Sequence, residues 1–264
     1  MSTSPIITVS DLRMGFAETI LLKNVSFEIN TGEIFIILGG SGCGKSTLLK
    51  HLLGLYTPQA GTIRIGSIRL DPSDKAGYES ILSRIGVMYQ GGALFGSMTL
   101  AENIALPLTS YTSLPDSAVA DLVRIKLGLV GLSGFENHLP EEISGGMKKR
   151  AAIARAMALN PDILFLDEPS AGLDPVTAAE LDQLILRLNR ALGTTMVIVS
   201  HELASINTIA HRVIMLDRES MGIIANGPPR DMPGHPHPFV RSFFTRTAAP
   251  EQPASDGPPA YPEQ

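Results

Sequence analysis

The sequence predicts an α/β fold: a mostly parallel sheet core, an N-terminal antiparallel β-subdomain and an inserted helical subdomain. Three observations carry that reading. The runs 34–38, 163–166, 196–199 and 213–216 are apolar throughout rather than alternating, as strands covered on both faces must be. Segments of helical periodicity fall between them, and strands alternating with helices argue for an α/β core. The stretch before residue 34 differs, with short runs that alternate or are bounded by turns.

Taken in chain order, 6–12, 25–29 and 61–70 read as the small antiparallel sheet. The first buried run, 34–38, leads through a glycine-rich loop into 46–53, which reads as a helix. Ile85–Met88, interrupted by Gly86, is a weaker fifth strand. From about 91 to 160 helix signals dominate, best at 116–127 and 148–159, and this is the expected inserted lobe within one domain of residues 1–246. Pro175–Leu192 is helical, with Pro175 acceptable in a first turn. From about 247 the composition turns to Pro, Ala, Gly, Glu and Gln, and 247–264 is expected to be a disordered tail.

Composition sets further bounds. At 264 residues, 44% hydrophobic and 18% charged, the chain can bury a substantial core. Its unbroken apolar runs are far shorter than the roughly 20 residues of a membrane-spanning helix, so no span is expected. No charged segment followed by an apolar stretch opens the chain, so no signal peptide is expected and the location reads as cytosolic. The single Cys43 excludes an internal disulfide and a multi-cysteine metal site. A net charge of −5 gives no electrostatic case for nucleic acid as a partner.

Gly39-Gly40-Ser41-Gly42-Cys43-Gly44-Lys45-Ser46 matches G-x-x-x-x-G-K-[ST] in full, with a buried strand before it and a helix, opening at Ser46-Thr47, after it. Glycines let the backbone curl so that successive N–H groups point at phosphate oxygens, and the helix N-terminus adds its positive end. Lys45 would reach the β- and γ-phosphates of ATP and Ser46 would ligate Mg²⁺. Cys43 reads as a small loop residue rather than a reactive thiol, although a place near a helix N-terminus can lower a thiol pKa and favour alkylation. The run 163–166 ends in Asp167-Glu168. Charges at the tip of a buried strand have no packing role, and the open end of a parallel sheet is where ligands sit. Asp167 would hold Mg²⁺, through water, and Glu168 would act as general base on the attacking water. These motifs point to a P-loop NTPase of RecA-like core. Kinases, GTPases, helicases and transporters all remain open on them alone.

Ile143-Ser144-Gly145-Gly146-Met147-Lys148-Lys149-Arg150 resembles the signature of the ABC family, L-S-G-G-Q followed by a basic helix. The resemblance spans roughly residues 6–230, and its other landmarks follow in order. It implies that Ser144, Gly145 and Gly146 cap the ATP of a second copy in a head-to-tail dimer. It implies that Gln90 senses Mg²⁺ and the attacking water and links them to the helical lobe. It implies that the D-loop, Ser170-Ala171-Gly172-Leu173-Asp174, crosses the dimer interface, that His201 contacts the γ-phosphate, and that Phe16 stacks on adenine. Met147 departs from the pattern, since most members have Gln there, and a thioether accepts hydrogen bonds only weakly.

That variant is itself informative. Ser144-Gly145-Gly146-Met147, Gly92-Ala93-Leu94-Phe95, the run from Glu102 to Leu108 and the run from His237 to Phe244 resemble the ATPases of the MCE-type lipid transporters, the Mla group. The resemblance implies phospholipid transport between inner and outer membranes. It also implies a separate permease, an MCE-domain protein, in some systems a STAS-domain protein, and a place on the cytoplasmic face of the bacterial inner membrane. The alternatives are an ATPase for another importer or exporter, a non-transport ABC ATPase, and a non-catalytic regulator. The chain lacks the coiled-coil block of repair members and the second ATPase domain of ribosomal ones. A regulator should lack the base or the switch residue, and both Glu168 and His201 are present.

Overall fold

The structure, a computed structural model, describes residues 4–16 and 19–247. In chain order the elements are β1 (Pro5–Phe16), β2 (Thr19–Asn30), β3 (Ile34–Gly39), α1 (Lys45–Leu52), β4 (Ala60–Ile65), β5 (Ile68–Arg69), α2 (Lys75–Leu82), β6 (Ile85–Met88), α3 (Leu100–Tyr111), α4 (Asp116–Leu129), α5 (Gly145–Ala156) and β7 (Ile163–Asp167). There follow α6 (Pro175–Leu192), β8 (Thr195–Val199), α7 (Leu203–Ile209), β9 (Arg212–Asp217), β10 (Gly222–Gly227) and α8 (Pro238–Thr245).

The apolar runs are the parallel sheet. Its order is β10-β9-β3-β8-β7-β6, parallel except for β10, which returns antiparallel beside β9. Every residue of β3 and β8 is buried, which explains why neither run alternates. The second sheet, β2-β1-β4-β5, is antiparallel. Its β2 alternates between buried and exposed positions, as a half-covered strand does.

The period of two in β3 divides the core into two layers. Ile34, Ile36 and Leu38 join a cluster with residues of α3 to α7, while Phe35 and Ile37 join one with α1 and the antiparallel sheet. Phe35 stacks on Phe27 of β2 at 5.6 Å between ring centroids, which fixes the second sheet over the first.

The helical insertion between β6 and β7 consists of α3, α4 and α5. Thr99 and Glu102 form a capping box that starts α3. Helix α5 begins at Gly145 rather than near 148 because Ser144 is its N-cap, with Oγ accepting from Met147 N at 3.3 Å. Helices α2, α7 and α8 and strand β10 are additions to the elements read from the sequence. At the end of the fold, the Phe239 ring of α8 lies beside Gly40, 3.7 Å from where a Cβ would sit. Of the expected tail, residues 248–264 lie outside the described residues. Among the described residues no helix is long and apolar enough to cross a membrane.

Candidate functional site

Register brings the motifs to one edge. Val199 of β8 lies opposite both Ile37 of β3 and Asp167 of β7. Strands β7 and β8 therefore end level and β3 runs two residues further, so the segments leaving them (40–45, 168–174 and 200–202) emerge together at the carboxyl edge of the sheet. A cleft of about 600 Å³ lined by Arg84, Asn160, Asp162 and Thr194 lies at the opposite, amino edge, away from these motifs.

The loop 39–44 has the backbone its glycines permit. Gly39, Gly42 and Gly44 take φ of 147°, 74° and 99°. At Gly39 a Cβ would stand 2.5 Å from both Leu216 O and Cys43 Sγ, so the turn has no room for a side chain. Gly44 is the N-cap of α1 and supplies no side-chain cap, which leaves the first amides of α1 (at Lys45, Ser46 and Thr47) open to an anion. Lys45 Nζ donates to Gly39 O and Gly40 O, each at 2.9 Å, and so lies over the loop. Ser41 and Ser46 are exposed, and Thr47 is half-buried. Cys43 is the small loop residue expected, and only the lowered pKa suggested by the helix N-terminus is corrected. It is only 2% exposed, packed under the loop, and burial pushes its pKa up rather than down.

Opposite the loop stand the carboxylates. Glu168 adopts φ 48°, a left-handed conformation unusual for a side-chain-bearing residue, held by its N–H donating to Val199 O at 2.9 Å. The residue is 8% exposed. His201 Nδ1 lies 2.8 Å from Glu168 Oε1, within hydrogen-bond distance, and donates to that oxygen in the tautomer protonated at Nδ1. Glu168 Oε2, Asp167 Oδ1 and Ser170 Oγ are buried with no hydrogen-bond partner among the described residues. Buried polar atoms are normally satisfied, so three orphans at one strand end mark a place for a ligand. Burial, and next the Glu168 charge, raise the pKa of Asp167, while Lys50, Lys149 and Lys45 oppose the rise. A hydroxyl at Ser46 and one carboxylate at Asp167 suit Mg²⁺, which keeps waters and takes phosphate oxygens as further ligands. In keeping with so sparse a donor set, no group of three or more His, Cys, Asp or Glu that could hold a metal occurs among the described residues.

The other expected residues fall in two groups. Gln90 is exposed at the end of β6, and its carbonyl accepts from Lys149 Nζ. The same ammonium lies 3.4 Å from Glu168 O, so Lys149 joins the Gln90 loop to the base. The sequence reading had passed over that residue. A usable signal was its spacing: Lys149 lies one helical turn after Gly145, on the same face. Ser144 and Gly145 are exposed, and among the described residues no hydrogen bond joins 144–146 to 39–47. Gly146 is buried because a Cβ there would meet Thr177 Cγ2 of α6 at 2.4 Å. Asp174 uses both carboxylate oxygens to cap α6, on Val176 N, Thr177 N and Thr177 Oγ1. The Thr177 bonds lower its pKa. Phe16 closes β1, and its side chain lies outside the described residues.

Comparison with known proteins agrees with this arrangement. The family model described as "ABC transporter" matches residues 22–171. A protein of Mycobacterium leprae named as a probable ribonucleotide transport ATP-binding protein, Mkl, is 42% identical over 239 residues, covering 90% of this chain and 68% of that one. The Escherichia coli K12 intermembrane phospholipid transport system ATP-binding protein MlaF is 36% identical over 244 residues, covering 92% of this chain and 90% of MlaF. Among solved structures, the dimeric post-hydrolysis state of the ATP-binding cassette MJ0796 bound to ADP and Pi superposes with a TM-score of 0.74 at 31% identity, covering 84% of this chain and 98% of that one. The fold, the phosphate loop facing two strand-end carboxylates, and these matches together identify the chain as a member of the ABC transporter family, an ATP-binding subunit.

Proposed function

We propose that this chain hydrolyses ATP with Mg²⁺ and energises phospholipid transport, as a head-to-tail dimer docked on a separate permease. The observation that carries hydrolysis is Glu168: buried, with one oxygen held by His201 and the other left free beside the phosphate loop. The free Oε2 would take the proton of the attacking water, while His201 fixes the carboxylate and faces the γ-phosphate. Lys45 and the open amides of α1 would hold the phosphates, Phe16 would stack on adenine, and Gln90 would orient the water. Ser46 and Asp167 would hold Mg²⁺, whose charge offsets that developing on the phosphate oxygens.

The exposed Ser144 and Gly145 support the dimer, since a cap with no hydrogen bond to its own loop among the described residues is available to the ATP of another copy. The ATP-binding cassette MJ0796, bound to ADP and Pi, is likewise dimeric in its solved structure. In this reading 1–246 form one nucleotide-binding domain, with the helical subdomain at about 91–160. ATP holds two copies together, hydrolysis loosens them, and the Gln90 loop passes the motion to the permease. The likeness to MlaF over nearly its whole length, together with Met147, supports a phospholipid cargo; with that cargo the expected partners are an MCE-domain protein and, in some systems, a STAS-domain protein, at the cytoplasmic face of the inner membrane.

A second reading, ribonucleotide transport, is favoured by the 42% identity to Mkl. Two experiments decide. Glu168→Gln should bind ATP, lose turnover and accumulate as a closed dimer; normal turnover would remove the base assignment. Mass spectrometry of the complex purified with its native permease should find bound phospholipid, and ribonucleotide cargo in its place would favour the second reading.

A further inference from the structure

Helix α5 carries the proposed cap for the partner's ATP at its first turn, yet it is also tied into the site of its own subunit. Lys149 lies on that helix one turn beyond Gly145. Its ammonium donates to the carbonyl of Gln90 and lies 3.4 Å from that of Glu168. It is half-buried rather than extended into water, the usual place for a lysine head group. Burial lowers its pKa, while the Glu168 and Asp167 carboxylates act to restore it. One side chain with three donors thus joins the cap helix, the loop after β6 and the turn after β7.

A second tether reinforces the first. Arg155, further along α5, donates to Ala93 O, and its guanidinium lies 4.7 Å over the Phe95 ring. The loop from Gln90 to Phe95 is therefore fastened to α5 at two points and should follow any displacement of the helix as one body. Glu168 has little tolerance for such movement, since its strained φ of 48° is held by its surroundings.

We propose that Lys149 is a positioning residue that transmits engagement of the α5 cap by the partner's ATP to the Gln90 loop and the Glu168 turn of its own subunit, so that each site sets the base of the other. The proposal rests on the dimer and base assignments above. Coupling of this kind makes the rate cooperative in ATP.

The test uses the full chain with its permease, assayed for phosphate release against ATP concentration. Lys149→Met keeps the stem and removes the donor. It should lower kcat on the order of tenfold to a hundredfold, as small misplacements of catalytic groups do, while half-saturating ATP stays within about twofold and the Hill coefficient falls towards about 1. Lys149→Arg, which restores a cation and donors, should recover most of the rate and the cooperativity. Equilibrium ATP binding by Lys149→Met at the wild-type level shows that the variant is folded. With Glu168→Gln inactive in the same preparation, a Lys149→Met protein at wild-type rate and cooperativity overturns this proposal alone. An active Glu168→Gln overturns the base assignment beneath it. Tagged heterodimers separate action in cis from action in trans. Placing Lys149→Met and Glu168→Gln on one chain, opposite a wild-type chain, should leave about half the activity, and placing them on opposite chains should impair both sites. The reverse pattern means that Lys149 serves the partner's base, and it overturns the proposal.

Discussion

The Glu168–His201 hydrogen bond can be measured by a double-mutant cycle. The contact is 2.8 Å long, Glu168 is 8% exposed, and among the described residues His201 is the one side chain hydrogen-bonded to its carboxylate. A hydrogen bond to a charged group contributes about 1.5–3 kcal/mol to stability. The His201 side chain is 56% exposed, so water replaces part of the contact when it is removed, and about 1 kcal/mol should remain as the coupling energy. Glu168→Gln keeps the shape and one acceptor but removes the charge. His201→Ala removes the donor. Urea unfolding of the nucleotide-free wild type, the two single variants and the double variant gives the four free energies required. The double variant should be more stable than additivity allows, by about 1 kcal/mol. A coupling below about 0.3 kcal/mol, the scatter of independent sites, refutes the reasoning. Kinetically the two residues should act as a unit. Either single variant should lose about 10²–10⁴ in turnover, and the double variant should lose little more than the worse of the two.

Two further outcomes test the fold. At Gly86, in β6, a Cβ would stand 2.0 Å from Ala156 O, so Gly86→Ala should destabilise by about 1–3 kcal/mol; an unchanged urea midpoint contradicts the packing of α5 on β6. Asp182 of α6 is 4% exposed, and burial raises its pKa despite a hydrogen bond from Ser205. A carboxyl with a raised folded pKa favours folding below its unfolded pKa of about 3.9 and loses that contribution as pH rises through the folded value. Asp182→Asn should therefore raise Tm at neutral pH, with the gain fading towards about pH 4, and a lowered Tm at neutral pH goes against this account.

Legibility in the sequence followed the physics of each element. Strands buried on both faces leave an unbroken apolar run, so β3, β7, β8 and β9 could be located to within about a residue, and the phosphate motif and Asp167-Glu168 came with them. Helix α7 is only seven residues, too short to show a period. Strand β10 has glycine at each end and a register shift between Ile223 and Ala225, which breaks its alternation. Helix α5 starts three residues before the run 148–159 because Gly145 and Gly146, poor helix formers by propensity, lie inside its first turn. The direction of the Cys43 pKa shift was not legible, because proximity to a helix N-terminus is visible in a sequence and burial is not. The spacing of Lys149 from Gly145 marks its helix face, but its partners are 59 and 19 residues away, so the spacing does not reveal what it touches.

The contact between Phe239 and Gly40 bears on the order in which the molecule can be made. The phosphate loop leaves the ribosome early, but its neighbour on α8 is synthesised at nearly the other end of the described chain. At 5–20 residues per second that interval is roughly 10 to 40 s. Strand β3, wholly buried in the finished fold, must wait through most of it for β8 and β9 to pair with it. A product that stalls before α8 would hold every residue of the phosphate motif and still lack the ring beside which Gly40 is set.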